Sequence, residues 1–185
     1  NVFLNLYRYS QATSGELIKI LKDPKICDRV WMPHQYAFEY QKNRLYVISE
    51  QKRSYENLTE EIEVLIRKFK RHPFLKMKDV MDPAVNIIRD AKRKHPKWNE
   101  DDPIREDLTN LFNGKIGKPF SKDVLTEIYK EGHNRFLGKV PPGYLDVSKK
   151  DEGSRFGDFV GWKQIMNQAK EVKKPIIFIT DEEGE

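Results

Sequence analysis

The sequence predicts an α/β fold with a parallel sheet into which a long helical segment is inserted. The stretch at 176–179, IIFI, is a continuous β-branched and aromatic run, which is typical of a strand buried on both faces in a parallel sheet. Before residue 50, strand and helix patterns alternate, which favours right-handed crossovers. Residues 51–137 then show helical spacing without a strand signal. At 185 residues the chain is predicted to be one domain with 51–137 as the insertion.

The first part of the chain is predicted to run strand, helix, strand, helix. NVFLNLYRY at 1–9 has strand composition, and Thr13 and Glu16 could open the following helix as a capping box. RVWMP at 29–33 is a short second strand that its proline stops. The helix after it carries Glu39 in its second turn. Strands separated by helices in this way predict neighbouring parallel strands.

The middle of the chain is predicted to be helical. Asp82-Pro83 and Asp102-Pro103 look like the N-cap and first-turn pairs of two helices, and Ser121 could cap another. A loop rich in Pro, Gly and Lys follows at 138–154, then a further helix at 156–172 and the stretch 173–183, which contains the buried strand.

Composition limits the classes of protein to consider. Hydrophobic residues make up 38% of the chain and charged residues 34%, so many helices must have solvated outer faces. The single cysteine, Cys27, cannot form an internal disulfide, and no apolar run reaches the ~18 residues of a membrane span. No signal peptide is visible. A cytoplasmic protein without a membrane segment is therefore expected. Because the chain starts at Asn1 without methionine, we expect a fragment of a longer chain.

The net charge of +5 is less informative than its distribution. Basic residues concentrate at 67–78 and 89–97, where Phe69, Phe74 and Trp98 are interleaved. Such a pattern suits a groove for a polyanion, with cations on phosphates and rings available for stacking. It also suits solvated helix faces with core aromatics. Both interpretations stay open at this point.

Three carboxylates are predicted to meet at one edge of the sheet. Glu39 lies early in a helix, Asp158 in the first turn of another, and Asp181 just past the last strand. In a parallel sheet the carboxyl ends of strands and the amino ends of helices share one edge. Carboxylates held close together need a cation, and all-oxygen ligands suit Mg²⁺ or Mn²⁺. Alternatively, Asp158 is an N-cap or a first-turn acid stabilised by the helix dipole, Glu39 is a surface acid near Lys42, and Asp181 belongs to a turn or a solvated tail.

Other catalytic centres find no support in the sequence. The four histidines are far apart and show no zinc-ligand spacing, and Cys27 has no partner cysteine. There is no glycine-rich phosphate loop and no G-x-S-x-G motif. A receiver-like phosphotransfer domain would need an acidic pair after the first strand and a lysine after the last. Neither is present in the quoted chain.

Five stretches of the chain resemble a known family: NVFLNLYRYS, WMPHQYAFEYQKNR, VPPGYLD, RFGDFVGWKQI and KKPIIFITDEE. Together they resemble PIN-like nuclease domains, specifically the bacterial branch with a long helical insertion. The resemblance implies a three-layer α/β/α sandwich in which four acids hold one or two Mg²⁺ or Mn²⁺ ions. Glu39, Asp158 and Asp181 match the second, third and fourth acids. The first would lie two residues before Asn1, outside the quoted chain.

The resemblance implies a metal-dependent nuclease, most often an endoribonuclease acting on single-stranded or structured RNA. The implied partner is nucleic acid, RNA rather than DNA, and an inhibitory or regulatory protein or a missing domain could control activity. Toxins and antiviral defence proteins are common in this group. The alternative is a catalytically inactive PIN-like module that binds nucleic acid or protein. The oligomeric state stays open. Candidate substrate-binding residues are Asn1, Asn5, Lys149, Lys150, Arg155, Arg67, Lys68, Lys70 and Arg71.

Overall fold

The chain folds into helices. The computed structural model describes residues 2–72, 74, 76–148 and 151–181. Of these described residues, 70% are helical and 1% are in strand pairing. A 3-10 helix, Tyr144–Ser148, precedes the last two α-helices. The α-helices are α1 (Val2–Asn5), α2 (Gln11–Leu21), α3 (Pro24–Cys27), α4 (His34–Phe69), α5 (Met77–Lys94), α6 (Pro103–Leu111), α7 (Lys122–Leu137), α8 (Glu152–Arg155) and α9 (Gly157–Val172).

The predicted α/β fold, a three-layer α/β/α sandwich with a parallel sheet, is wrong. Over the described ranges no sheet forms, and the recorded strand pairing is one isolated parallel bridge between Met32 and Ile116. The stretch predicted as the first strand contains α1 followed by a turn. Its apolar side chains are buried between helices, as Leu6 and Tyr7 show with exposures of 2% and 1%. Strand-like composition reports burial on a packed surface and does not require a sheet.

The prediction of a closing strand buried on both faces is also wrong. After Lys173 ends α9 in the left-handed region at φ 51°, residues 175–181 have no regular secondary structure. Ile177 and Ile179 are 83% and 70% exposed, while Phe178 stacks on Tyr36 with 6.0 Å between ring centroids. A strand buries both of its faces only within a sheet that other layers cover on both sides, and the described part of the chain forms no sheet. Residues 182 and 183 lie outside the described residues.

Two of the predicted helix starts are confirmed. Asp102 is the N-cap of α6, and its Oδ1 accepts a hydrogen bond from the Arg105 backbone N–H at 2.9 Å. Ser121 is the N-cap of α7 and accepts from the Val124 N–H at 3.4 Å. Each side chain satisfies a backbone donor that the helix itself leaves without a partner.

Two other helix starts differ from the prediction. The N-cap of α2 is Ser10, whose Oγ accepts from the Thr13 N–H at 3.2 Å, so Thr13 lies inside the first turn. Helix α5 begins at Met77, which places Pro83 inside the helix and not at its first turn. The packing of α5 against α4 holds the helix together across a residue that cannot donate a backbone hydrogen bond.

Helix α4 organises the molecule. At 36 residues it is about 54 Å long. Its first half packs against α1 and α9, and its second half pairs with α5. The domain division, with 51–137 as an insertion, remains a prediction, and α4 crosses its first boundary without a break. No helix in the described ranges is both long enough and apolar enough to span a membrane. The main core comprises Leu4, Leu6, Tyr7, Ile18, Met32, Tyr40, Val47, Ile48, Trp98, Ile104, Leu108, Leu111 and Phe112.

The second half of α4 and the whole of α5 form a helical hairpin, which we call the arm (residues 51–94). The arm has little core of its own. Ile62 is the buried residue on its α4 side, and no residue of α5 is buried. The arm therefore presents most of its side chains to solvent.

The environment of His95, just after α5, predicts a loss of stability at mildly acidic pH. Burial, with a smaller contribution from Lys52, lowers the pKa of His95. Its Nδ1 lies 3.2 Å from the Tyr55 hydroxyl oxygen, and the ring packs edge-on against Trp98 at 5.0 Å. The unfolded chain therefore binds a proton near pH ~6.5, before the folded chain does. We expect the free energy of unfolding to fall as pH drops below that value.

Urea denaturation between pH 7.5 and 5 would measure this effect. The pH dependence should become weaker in His95→Gln and stay unchanged in His72→Gln, because His72 is exposed. Equal pH dependence in the native protein and His95→Gln would contradict the assignment.

Candidate active site

A cleft of about 950 Å³ lies beside the first turns of α4 and is also lined by residues around α8 and α9. We call it the acidic cleft, because three carboxylates line it. Two of the three predicted acids, Glu39 and Asp158, are among them. The polar lining includes His34, Gln35, Glu39, Lys42, Asn43, Asp151, Ser154, Asp158 and Gln164.

Glu39 is held between its own helix and the start of α9. One turn earlier on α4, the Gln35 side-chain amide donates to Glu39 Oε1 at 2.7 Å. On the other side, a Cβ atom placed on Gly157 would lie 2.2 Å from the same oxygen. Any other residue at 157 would displace the carboxylate. Glycine as the first residue of α9 therefore allows the helix backbone to approach the Glu39 carboxylate.

The amino end of α4 is fixed by α9 and not by its own cap. Pro33 precedes the helix and provides no side-chain cap. The buried Gln164 supplies the acceptor, since its Oε1 receives the Gln35 backbone N–H at 2.9 Å. A second close approach occurs at Gly161, where an added Cβ would lie 2.4 Å from the Tyr36 ring. The two helices therefore pack closely at the acidic cleft.

Asp158 lies in the first turn of α9, as the sequence predicted, and the N-cap residue is Phe156. An acid in the first turn is stabilised by the helix dipole. Gly143, at φ +81°, brings the preceding loop against it, since an added Cβ there would lie 3.2 Å from the Asp158 Cβ. The loop and α9 together fix the position of this carboxylate in the cleft.

Asp181 has a different environment from the other two acids. Its Oδ2 accepts hydrogen bonds from the Asn5 side-chain amide and, at 3.2 Å, from the Tyr9 hydroxyl. The pKa of Tyr9 is raised, first by desolvation and then by this carboxylate. Asn5 is in turn bound by Arg8, whose Nη1 donates to Asn5 Oδ1 at 2.7 Å. Asp181 is not among the residues that line the acidic cleft.

The predicted substrate-binding residues fall into several groups. Asn5 contacts Asp181, and Arg155 is the half-buried last residue of α8. Three residues, Asn1, Lys149 and Lys150, lie outside the described residues. The remaining four lie at the end of α4 that is distant from the acidic cleft: Arg67, Lys68, Lys70 and Arg71. The substrate-binding roles of all nine residues stay predictions.

Sequence reasoning missed several residues of the acidic cleft. The i, i+4 spacing of Gln35 and Glu39 could have indicated their hydrogen bond. Asp151 gives a recognisable signal as the N-cap of α8, where its carboxylate accepts from the backbone N–H groups of Gly153 and Ser154. Hydrogen bonds from Ser154 lower the pKa of Asp151. Gln164 gave no local signal, because its role depends entirely on the packing of α9 against α4.

The donor set of the acidic cleft suits a small hard cation. Within the described ranges no group of three or more His, Cys, Asp or Glu side chains could hold a metal ion. Mg²⁺, however, is commonly bound by one or two carboxylates, with water and substrate phosphate completing its coordination. Glu39 and Asp158 supply two carboxylates in one cleft. The number of carboxylates thus matches that of a substrate-completed Mg²⁺ site, and the binding of Mg²⁺ or Mn²⁺ by Glu39 and Asp158 stays a prediction.

The fold and the acidic cleft define a helical protein with an oxygen-rich pocket at one end of its longest helix. Comparison with protein families identifies its class: the family of PIN-like domains matches residues 1–185. The chain belongs to this family, whose members are typically nucleases that use divalent metals. Neither the curated proteins nor the solved structures contain a match.

Proposed function

We propose that this protein is a metal-dependent nuclease that hydrolyses phosphodiester bonds, and specifically an endoribonuclease acting on single-stranded or structured RNA. The observation that supports this proposal is the placement of Glu39 and Asp158, distant in sequence, in one cleft. Membership of the PIN-like family supports it independently. The expected setting is the cytoplasm, and roles as a toxin or in antiviral defence, under an inhibitory protein partner, stay predictions.

The residues of the acidic cleft have separable roles in this proposal. Glu39 and Asp158 would hold Mg²⁺ or Mn²⁺, and Gln35 orients Glu39 through its side-chain amide. The bound ion would activate a water molecule and neutralise charge on the leaving oxygen. Lys42 donates to the Ser154 Oγ at 3.1 Å and lies 3.9 Å from Asp151 Oδ2, but its side chain is 52% exposed and would bind a phosphate. Phe38 lines the same cleft and is 54% exposed, so a base can stack on its ring.

We include Asp181 in this proposal as a third acid, whose carboxylate is held by Asn5 and Tyr9. Its carboxylate would bind the metal once substrate is present, with Asn5 orienting it. The alternative function is a catalytically inactive module that binds nucleic acid or protein. The observation in its favour is that Asp181 is not among the residues lining the acidic cleft.

A cleavage assay on the full-length protein tests the proposal. Labelled single- and double-stranded RNA and DNA are incubated with EDTA, Mg²⁺ or Mn²⁺. We expect internal cleavage of single-stranded RNA with either metal and none with EDTA, because the carboxylates need the cation to act on a phosphodiester. Equal cleavage in EDTA would contradict the metal-dependent mechanism. Binding without cleavage under all conditions would establish the inactive module.

A further inference from the structure

The tip of the arm, which comprises the described residues 67–72, 74 and 76–78, concentrates the positive charge of the protein. The arm contains twelve Lys and Arg residues against seven Asp and Glu, whereas the rest of the chain has twenty-two of each. The whole net charge of +5 therefore resides on the arm. Six of its twelve cations lie at the tip, which contains no acidic residue. An uncompensated charge of this kind attracts a polyanion.

Ion pairing distinguishes the tip from the base of the arm. Near the base, Lys92 Nζ lies 2.7 Å from Glu56 Oε1, and Arg93 pairs with Asp90 at 2.9 Å. At the tip, the ion pair recorded between described residues joins Arg67 to Glu63 at 3.6 Å. That pair is exposed and weak. The tip cations are therefore available to a partner from outside the molecule.

An exposed aromatic ring accompanies the tip cations. Phe74 is 92% exposed, and Lys68 Nζ lies 5.7 Å from the centroid of the Phe69 ring. Cations for the backbone together with rings for the bases characterise sites that bind single-stranded nucleic acids. On α5, Val85 and Ile88 are half-buried within the hairpin, whereas Val80 and Ile87 are 64% and 70% exposed. Val80 and Ile87 lie outside the tip, so the tip itself is characterised by a ring among cations and not by the apolar face of a membrane-binding helix.

Helix α4 connects the tip to the acidic cleft. Both Glu39 and Lys68 belong to this single helix, and the rise of ~1.5 Å per residue places them about 45 Å apart along its axis. Stacked nucleotides in one strand are spaced by about 3.4 Å. A strand of about 13 stacked nucleotides would therefore span from the cleft to the tip.

We propose that the tip of the arm is a second binding site for single-stranded nucleic acid, which holds the substrate backbone far from the point of cleavage. This inference rests on the proposed function only in taking nucleic acid as the substrate. The tip contributes affinity and sets a minimum substrate length, since strands much shorter than about 13 nucleotides contact one site at a time.

Equilibrium binding without cleavage tests this site. Fluorescence anisotropy is measured in EDTA with end-labelled single-stranded RNA of 8 and 24 nucleotides. The test variant carries Arg67→Gln, Lys68→Gln, Lys70→Gln and Arg71→Gln. The control neutralises four exposed cations on other helices or loops: Lys19→Gln, Lys25→Gln, Arg29→Gln and Lys122→Gln.

The native protein should bind the 24-nucleotide strand more tightly than the 8-nucleotide strand. We expect the tip variant to lose this preference and to bind the longer strand about tenfold or more weakly. The dependence of log K on log salt should decrease in slope by about 3, or ~0.7 per lost phosphate contact. The control should retain the length preference.

Three outcomes would overturn the inference: an unchanged salt slope in the tip variant, an equal loss in the control, or a tip variant that loses binding to phosphatidylserine vesicles while keeping its affinity for RNA. The last result would identify a membrane surface. Binding and cleavage are measured separately, so the two proposals can fail separately. A protein that binds long strands through its tip but never cleaves them would support this inference and reject the nuclease.

Discussion

Cleavage by the Asp158→Asn and Glu39→Gln variants is expected to fall at least about 10²-fold, because under the proposed function each removes a charged metal ligand worth several kcal/mol of transition-state stabilisation. Both substitutions keep the size and hydrogen-bonding shape of the side chain. Single-turnover cleavage of the substrate, with thermal unfolding alongside, would measure the effect. Higher metal concentrations should partly restore the activity of each variant.

The acidic cleft provides a matched control in Asp151→Asn. This substitution removes the same charge from the same cleft, and asparagine is as good an N-cap as aspartate. Activity of Asp151→Asn should stay near that of the native protein, because the ion pair that the substitution removes, between Asp151 and Lys42, is exposed and 3.9 Å long. An equal loss would show that the cleft needs general negative charge and not the two assigned residues.

The position of Glu39 can be tested independently of its charge. Gly157→Ala places a methyl group 2.2 Å from Glu39 Oε1 in the present geometry, so the carboxylate must move. A displacement of about 1 Å at a reacting centre can cost about 10²-fold in rate. Gly15→Ala is the control, since nothing lies within 4 Å of its added Cβ. Full activity of Gly157→Ala would show that the position of Glu39 is not critical.

Asp102→Ala is expected to reduce the free energy of unfolding by about 3–5 kcal/mol, because it leaves a buried charge without its partner. Asp102 forms a salt bridge with Arg44, and their side chains are 9% and 11% exposed. The Tyr7 hydroxyl donates to the same carboxylate, with 2.9 Å to Oδ2, and lies 2.9 Å from the Tyr40 hydroxyl. Burial is the largest cause that raises the pKa of Tyr7, and the hydrogen bond with Tyr40 raises it further.

Urea denaturation at neutral pH would measure this loss. The neighbouring Asp101 is exposed, so Asp101→Ala should change stability by less than about 0.5 kcal/mol. A double variant, Arg44→Met with Asp102→Leu, should recover much of the loss because it removes both buried charges. A loss below about 1 kcal/mol in Asp102→Ala would show that the pair is solvated in solution.

Features that depend on neighbouring residues could be predicted from the sequence. The caps formed by Asp102 and Ser121 require only a side-chain acceptor a few residues before a backbone donor. The long apolar periodicity after residue 50 likewise predicted helices, which the structure contains. Pro83 was misassigned because its local signal, a first-turn proline, was overridden by the packing of α5 on α4.

The sheet and the site depended on interactions between distant residues. A β-branched run such as 176–179 forms a buried strand only if a second strand lies beside it. The sequence of the run itself does not show whether such a partner strand exists. The prediction placed Glu39, Asp158 and Asp181 together at a sheet edge; Glu39 and Asp158 line one cleft, Asp181 is not among its lining residues, and no sheet forms over the described ranges. Glu39 and Asp158 share the cleft because Gly157 and Gly161 let α9 approach α4.

The order of residues alone determined two helix caps, the uneven distribution of charge and the choice of candidate acids, since each depends on local chemistry. Tertiary packing decided which acids share a cleft, which polar groups support them and whether the apolar segments pair. Those properties arise from contacts between residues far apart in sequence. Asp181 illustrates this difference, because its carboxylate was recognisable as a candidate but its partners, Asn5 and Tyr9, were determined by the fold.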